Sequence, residues 1–332
     1  PKGVVYSHRS TLLHALGGGM PDVSAASYKE TILPIVPMFH VNAWGAPYSS
    51  LMVGAKMVMP GPKMGDGETL QSLIEDENVT FSSGVPTIWL GLLNFLDKTG
   101  KSISSLKRVS VGGAACPRTI IERFLHQHKC EVVQGWGMTE NSAYGTCCIP
   151  FRADKIGSIG RAYSGVDIRI AEEGEIQVKG PCNMKEYYLE PKKTSEVMTE
   201  DGYLKTGDKG SIDSDGYIQI TGRLKEIFKT SKGKYVAPVP IESKLMANSS
   251  IEQVCVTGSQ LKQPIGLVVL SEEALKLPAE EIEKSLSATL DEVNSTLESH
   301  AKLDCLVVMK DEWTVDNGLL TPTLKVLSLI HI

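Results

Sequence analysis

Several features that would assign a chain to a specialised class are missing from these 332 residues. No uninterrupted apolar stretch reaches the ~18 residues that a membrane-spanning helix needs. The richest stretch, residues 32–62, is broken by His40, Asn42, Lys56 and several prolines. Lysine and arginine form no long basic run and the net charge is −5, so we expect no nucleic-acid partner. Internal repeats and low-complexity tracts are also missing.

The sequence also lacks the cysteine spacing of a metal site or a disulfide framework. None of its seven cysteines forms a CxxC motif. The neighbours Cys147 and Cys148 cannot form an ordinary disulfide with each other. An odd number of thiols indicates reduced cysteines in a cytoplasmic protein. The remaining composition, 42% hydrophobic and 22% charged, is typical of a soluble chain with a sizeable core and more than one domain.

The first part of the chain alternates short apolar runs with helical patterns, which predicts an α/β architecture. We expect strands over residues 31–38 and 54–61 and a helix over 68–77. Residues 79–96 and 108–127 each read as strand, turn and helix, and 130–140 as a strand ending in a polar loop. This rhythm places loops at the carboxyl ends of strands, where ligands of α/β proteins usually bind.

From about Ile156 the pattern changes to dense glycine and β-branched residues, which predicts a small antiparallel unit. The DSDG turn at residues 213–216 is a strong hairpin signal. A separate α+β segment follows Arg223. In it, residues 280–300 carry apolar side chains on one face and predict a long amphipathic helix.

Seven motifs follow one another along the chain. In order, they are PKGVVYSHR (1–9), PMFHVNAWG (37–45), VGGAACP (111–117), GWGMTE (135–140), TGD (206–208), GRLKEIFKTSKGKYVAP (222–238) and LTPTLK (320–325). Taken singly, most of them are weak: PKG and TGD are common turns, GGAA fits a helix entry, and a lone histidine or lysine is usually structural. Their order over nearly the whole chain resembles the adenylate-forming enzymes, which include acyl-CoA synthetases, firefly luciferase and peptide-synthetase adenylation domains.

The resemblance implies a fold and a domain plan. Residues 1–222 would be the remainder of a large N-terminal α/β domain with a small β-rich subdomain. Residues 223–326 would be a small, mobile α+β C-terminal domain, and whether the apolar tail 327–332 is native is left open. PKGVVYSHR resembles the back half of a phosphate-binding loop, so we expect the chain to be a fragment that lacks the Gly/Ser/Thr-rich front half.

The resemblance also assigns the groups that hold phosphate and metal. Lys2 would contact the β- and γ-phosphates of ATP, and Thr139 the α-phosphate. Glu140 would bind Mg²⁺, because a carboxylate suits a hard ion that bridges phosphates.

The adenosine half of the nucleotide has its own set of implied contacts. Adenine or the acyl channel would meet the turn of Gly113, Ala114 and Ala115, where a residue without a side chain lets the backbone approach a flat ring. Trp136 and Gly137 would lie beside adenine.

The ribose and the reacting acyl group complete the implied site. Asp208 would accept hydrogen bonds from the ribose hydroxyls, and Arg223 would contact ribose or phosphate. His40 would lie beside the acyl carboxylate. Lys325 would bridge that carboxylate and the α-phosphate, which suits a compact ammonium on a flexible stem.

Two further residues are implied for the second half-reaction. Lys225 would be the hinge between the domains. The loop at Gly233 would swing in to line the channel of the pantetheine thiol.

The function that this resemblance implies is fatty acyl-CoA synthesis. ATP and a fatty acid would give acyl-adenylate and pyrophosphate, and the thiol of CoA would then displace AMP. Two alternatives stay open: transfer to the phosphopantetheine of a carrier protein, and a nucleotide-binding fragment without turnover. Peripheral association with membranes through the acyl substrate is also left open, as are acyl chain length and oligomeric state.

Overall fold

The computed structural model describes residues 2–21, 23–271, 274–314, 316–320 and 326. The chain divides into two compact units. The first runs from the start of the chain to Thr206 and includes Gly210–Gln219; the second holds Gly207–Lys209 and the chain from Ile220 onward. Each unit contains its own hydrophobic core. Among the described residues, no helix combines the length and apolar character needed to cross a membrane.

The described residues alternate helices and strands through both units. The helices are α1 (His8–Gly18), α2 (Val41–Trp44), α3 (Ala46–Val53), α4 (Gly67–Asp76), α5 (Pro86–Thr99), α6 (Arg118–Glu122), α7 (Pro191–Val197), α8 (Pro238–Leu245) and α9 (Ala279–Ser295). The strands are β1 (Val4–Val5), β2 (Thr31–Pro34), β3 (Lys56–Met57), β4 (Phe81–Gly84), β5 (Arg108–Val111), β6 (Glu131–Trp136), β7 (Thr146–Cys147), β8 (Arg161–Ala162), β9 (Asp167–Ile170), β10 (Glu175–Lys179), β11 (Glu186–Tyr187), β12 (Leu204–Ile212), β13 (Ile218–Arg223), β14 (Phe228–Lys229), β15 (Tyr235–Val236), β16 (Ile251–Thr257), β17 (Ile265–Leu270) and β18 (Leu306–Val308).

The first unit is built on a seven-stranded sheet with the order β3-β2-β4-β5-β6-β7-β8. Strands β3, β2, β4, β5 and β6 are parallel, and β7 and β8 continue the sheet antiparallel. The predicted α/β architecture is confirmed. Strand β2 is shorter than predicted, because after Pro34 the chain turns at Pro37, whose carbonyl accepts the N–H of His40.

Helix α5 supplies much of the core beneath this sheet. Its first turn contains Pro86, and the residue that follows its last, Gly100, is left-handed with φ +65°. Proline in the first turn and a left-handed glycine just after the last turn are both common at helix ends. Its buried face includes Trp89, whose ring meets Phe124 edge-on with centroids 5.6 Å apart. The helix predicted over 118–127 is α6 followed by a π-helical turn, Arg123–Gln127, in which Phe124 is fully buried.

The first unit also contains the predicted antiparallel segment. Strands β9 and β10 form a hairpin in which Ile170 pairs with Ile176. The DSDG turn is confirmed as well: Asp213 Oδ1 accepts the N–H groups of Asp215 and Tyr217, and Gly216 has φ +81°.

The second unit contains a three-stranded sheet with the order β16-β17-β18 and a small β14–β15 hairpin. Helix α9 buries Leu286 and Val293 in the core of this unit, which confirms the predicted amphipathic helix. The helix ends at Ser295 rather than near 300. The side chain of Asn294 binds both the N–H and the C=O of Leu303, at 2.8 and 2.9 Å, and so fixes the returning chain.

Candidate active site

A cavity of about 130 Å³ lies at the carboxyl ends of β5 and β6 in the first unit. Its lining includes Gly113, Trp136 and Gly137. The remaining wall mixes apolar residues, such as Val23 and Phe81, with polar residues, such as Asn42 and Ser83. The turns predicted to hold a nucleotide therefore share this cavity with apolar side chains.

His40 lies beside this cavity and is 5% exposed. It precedes α2, and its Nδ1 accepts the backbone N–H of Asn42 at 3.1 Å. In the neutral ring the proton is therefore on Nε2. A Cβ atom built on Gly113 would lie 3.6 Å from that nitrogen. The structure thus brings together His40 and the Gly113 turn.

The turn after β5 depends on glycine at two positions. Gly113 has φ +85°, in the left-handed region that favours glycine. A Cβ atom on Gly112 would lie 2.5 Å from Oδ1 of Asn42, whose amide donates to the carbonyl of Gly84. Ala114 and Ala115 are exposed, so this turn presents a small, open surface.

His14 of α1 also lines the cavity, and the sequence reasoning missed it. Burial lowers the pKa of His14 to about 4, against an opposing effect of the Ser142 backbone. The ring is therefore neutral at physiological pH. It packs edge-on against Trp44, with centroids 5.1 Å apart. A Cβ atom on Gly45 would lie 1.6 Å from Nε2 of His14, so Gly45 provides the space for this ring.

We expect the substitution Gly45→Ala to destabilise the first unit, because the added methyl group would overlap the His14 ring. Overpacking of this kind costs about 1–3 kcal/mol, and the melting temperature should fall by several degrees. Gly91→Ala is the matched control: Gly91 is exposed in α5 and no atom lies within 4 Å of its built Cβ. Alanine there should raise the melting temperature slightly. A Gly45→Ala chain that melts no lower than the unsubstituted chain would contradict the packing described.

The loop after β6 holds the GWGMTE motif in a fixed shape. The ring of Trp136 is 9% exposed and lies over Gly145, where a Cβ atom would meet it at 2.7 Å. Residues Thr139–Asn141 form a 3₁₀ turn, and Oδ1 of Asn141 accepts the N–H of Met138 at 2.9 Å. The turn leaves Thr139 exposed.

Glu140, in the same turn, is the centre of a polar cluster. Its Oε1 accepts a hydrogen bond from Oη of Tyr187 at 2.6 Å, and Nζ of Lys2 lies 4.0 Å from the same oxygen. The hydroxyl of Tyr6 donates to the carbonyl of Thr139 at 2.6 Å. Burial raises the pKa of Tyr6 and of Tyr187, and the Glu140 carboxylate raises both further, so both hydroxyls stay protonated. We name Lys2, Tyr6, Thr139, Glu140 and Tyr187 the Glu140 cluster.

The Glu140 cluster fits Mg²⁺ that is bound jointly by the protein and by phosphate groups of the substrate. Within the described ranges, no group of three or more His, Cys, Asp or Glu residues could hold a metal ion by itself. Magnesium often needs no such cage, because it is bound through one or two carboxylates together with substrate phosphates. Glu140 would supply the carboxylate, and Lys2 a cation for the phosphates.

Asp208 and Arg223 form a second polar site, in the second unit. Asp208 is 5% exposed, and its Oδ1 accepts the Nε–H of Arg223 at 2.7 Å. The N–H of Leu224 donates to the carbonyl of Gly207 at 2.8 Å, which joins the two strands beside the pair. The structure therefore brings together the TGD and GRLKE motifs.

The remaining predicted residues have separate places. Lys225 is exposed in the turn after β13. Gly233, with φ +77°, is in the turn between β14 and β15, and its N–H donates to the carbonyl of Thr230. Lys325 lies outside the described residues, as does the tail 327–332. The roles assigned to these residues stay predictions.

Comparison with known proteins gives two family matches. Residues 1–188 match the AMP-binding enzyme family, and residues 225–315 match the C-terminal domain of AMP-binding enzymes. Among curated proteins, the chain is 38% identical over 297 residues to a long-chain-fatty-acid–CoA ligase of Thermus thermophilus (81% of this chain, 54% of the relative). It is 41% identical over 283 residues to a medium-chain-fatty-acid–CoA ligase of Ectopseudomonas oleovorans (78% and 51%).

A third relative, 38% identical over 280 residues, is a 3-methylmercaptopropionyl-CoA ligase of Ruegeria lacuscaerulensis (78% of this chain, 51% of the relative). The chain thus spans about half the length of the curated relatives it matches.

Solved structures have the same fold at lower identity. An anthranilate CoA ligase in complex with anthranoyl-AMP has a TM-score of 0.85 and 21% identity, covering 98% of this chain and 63% of that one. An o-succinylbenzoate CoA synthetase of Bacillus subtilis with ATP and magnesium has a TM-score of 0.78 and 23% identity (98% and 66%).

Proposed function

The chain belongs to the AMP-binding enzyme family, and from that premise we propose that it is part of a fatty acid–CoA ligase. The ligase uses ATP to convert a fatty acid into acyl-adenylate and pyrophosphate, and CoA then displaces AMP to give the thioester. The observation that carries this proposal is the cavity, whose lining includes the Gly113 and Gly137 turns together with apolar residues such as Val23 and Phe81. In this proposal the acyl group enters the cavity with its carboxylate next to the nucleotide.

The first half-reaction must bring an anionic carboxylate to an anionic phosphate. Cations and N–H donors fixed in a site that excludes water reduce this repulsion. In this proposal Lys2, whose Nζ lies 4.0 Å from Oε1 of Glu140, contacts phosphate, and His40, which lies beside the Gly113 turn, contacts the acyl carboxylate. Magnesium, bound by Glu140 and the phosphates, would supply further positive charge.

The proposal assigns the other predicted residues to nucleotide binding and to the second half-reaction. Asp208 accepts hydrogen bonds from the ribose hydroxyls while Arg223 holds its carboxylate in place. The domain division at residues 222–223, the hinge at Lys225, the pantetheine contact at Gly233 and the bridging role of Lys325 all belong to this proposal.

ATP–pyrophosphate exchange tests the reaction. A protein with the full length of the curated relatives should support exchange with fatty acids and not with amino acids or aryl acids. Exchange with an amino acid or aryl acid alone would contradict the assigned substrate. Acyl transfer to a carrier protein but not to CoA, followed by mass spectrometry, would favour the carrier alternative. AMP binding by the 332-residue chain without exchange would favour the non-catalytic alternative for this chain.

We also propose a cytoplasmic location with transient contact with membrane surfaces, supported by the low water solubility of long fatty acids. Flotation with phospholipid vesicles, with and without added fatty acid, tests this contact. Recovery of the protein with vesicles that contain added fatty acid is the expected result, and its absence from those vesicles would contradict the proposal.

A further inference from the structure

Tyr187 is a buried residue that the proposed reaction does not yet use. It is 2% exposed and lies in β11, within a cluster of apolar side chains that includes Met184 and Leu204. A buried tyrosine hydroxyl usually has a hydrogen-bond partner. Here that partner is the carboxylate Oε1 of Glu140, at 2.6 Å.

The backbone fixes Tyr187 at this place. Strand β11 pairs antiparallel with β1, so that Tyr187 lies opposite Val4. The N–H of Tyr187 donates to Oγ1 of Thr194 at 3.0 Å. Nζ of Lys2, just before β1, lies 3.9 Å from the centroid of the Tyr187 ring. One tyrosine therefore contacts both the lysine assigned to phosphate and the carboxylate assigned to metal.

The geometry leaves one oxygen of Glu140 available. The hydroxyl of Tyr187 and the ammonium of Lys2 both approach Oε1, and no described residue hydrogen-bonds to Oε2. A glutamate held at one oxygen loses its rotamer freedom before a ligand arrives, which lowers the entropic cost of binding. Partners of this kind typically change metal affinity by about 10–100-fold.

We propose that Tyr187 is a positioning residue that orients the Glu140 carboxylate toward the metal-bound phosphates. This inference rests on the proposed nucleotide site but not on the identity of the acyl substrate. The ring of Tyr187 contributes packing and the contact with Lys2, whereas its hydroxyl contributes the hydrogen bond to Oε1. The two contributions can therefore be separated by a substitution that removes only the oxygen.

Tyr187→Phe makes that separation. Calorimetric titration of the 332-residue chain with ATP in excess Mg²⁺ should show affinity reduced about 10–100-fold. Titration with AMP in the presence of EDTA should show unchanged affinity, since no metal takes part. An unchanged melting temperature would exclude a general loss of structure. A general structural defect would weaken both nucleotides equally, so equal weakening overturns the positioning role.

Tyr203→Phe is the matched control, because the Tyr203 hydroxyl also donates to a carboxylate, that of Asp167. It should change neither titration. In the background Glu140→Gln, adding Tyr187→Phe should reduce the Mg²⁺-dependent affinity less than about 3-fold, since residues that act through one another are not additive. If the effects of the two substitutions on this affinity are fully additive, the inference is overturned. If the unsubstituted chain binds AMP but Mg²⁺ does not increase its affinity for ATP, the assignment of Glu140 to the metal is wrong. The positioning role of Tyr187 is then wrong as well.

Discussion

Replacing Asp208 by alanine is expected to reduce AMP binding about 100-fold or more. A buried carboxylate that accepts hydrogen bonds from two ribose hydroxyls makes charge-assisted bonds, each contributing about 1.5–3 kcal/mol, and every 1.4 kcal/mol is a tenfold change in affinity. Asp208 is 5% exposed and already bound to Arg223 at 2.7 Å. Alanine removes the acceptor and leaves the Arg223 guanidinium without this carboxylate. We therefore expect both the affinity for AMP and the melting temperature to fall.

The loss of stability should be smaller than the loss of binding. The side chain of Arg223 is 44% exposed, so water can replace part of the lost interaction. Asp201→Ala is the matched control: Asp201 binds Arg169 through two hydrogen bonds, at 2.6 and 3.1 Å, with both side chains exposed. It should change neither AMP affinity nor the melting temperature measurably. AMP binding by Asp208→Ala equal to that of Asp201→Ala would refute the ribose assignment.

Local patterns in the sequence predicted much of the fold because they report burial directly. The apolar face of α9 follows a helical period, and the structure buries Leu286 and Val293 from it. The DSDG turn has its own side-chain hydrogen bonds, which need no distant partner. The end of α9 was predicted too late, because it depends on the contact of Asn294 with Leu303, a residue beyond the helix.

In the candidate site, too, residues in local motifs were predicted and residues placed by long-range contacts were not. His40 and Glu140 were predicted because their motifs hold the chemistry in consecutive residues. Tyr187 was not, because its bond to Glu140 joins residues 47 positions apart and depends on the pairing of β11 with β1. His14 was missed for a related reason: its place depends on the absence of a side chain at Gly45. Contacts made by long-range pairing leave no periodic signal in the sequence.

Replacing Lys325 by alanine is expected to separate the two half-reactions of the proposed ligase. The assignment of Lys325 comes from the LTPTLK motif alone, since this residue lies outside the described residues. The ammonium would bridge the attacking carboxylate and the α-phosphate while the acyl–phosphate bond forms. Removing one group that stabilises developing charge typically lowers the rate about 10²–10³-fold. We expect this loss in ATP–pyrophosphate exchange, measured on a protein of the relatives' full length.

The second half-reaction should be much less sensitive to this substitution. Once acyl-adenylate has formed, the carboxylate no longer carries a negative charge that must be held against the phosphate, so a bridging cation is no longer needed. Thioester formation from preformed acyl-adenylate and CoA should therefore fall by less than about tenfold, because only stabilisation specific to one transition state is lost. Lys310→Ala, at an exposed lysine, is the control and should leave both rates unchanged. Equal losses in both half-reactions would mean that Lys325 supports binding or folding in general and does not bridge the reacting groups.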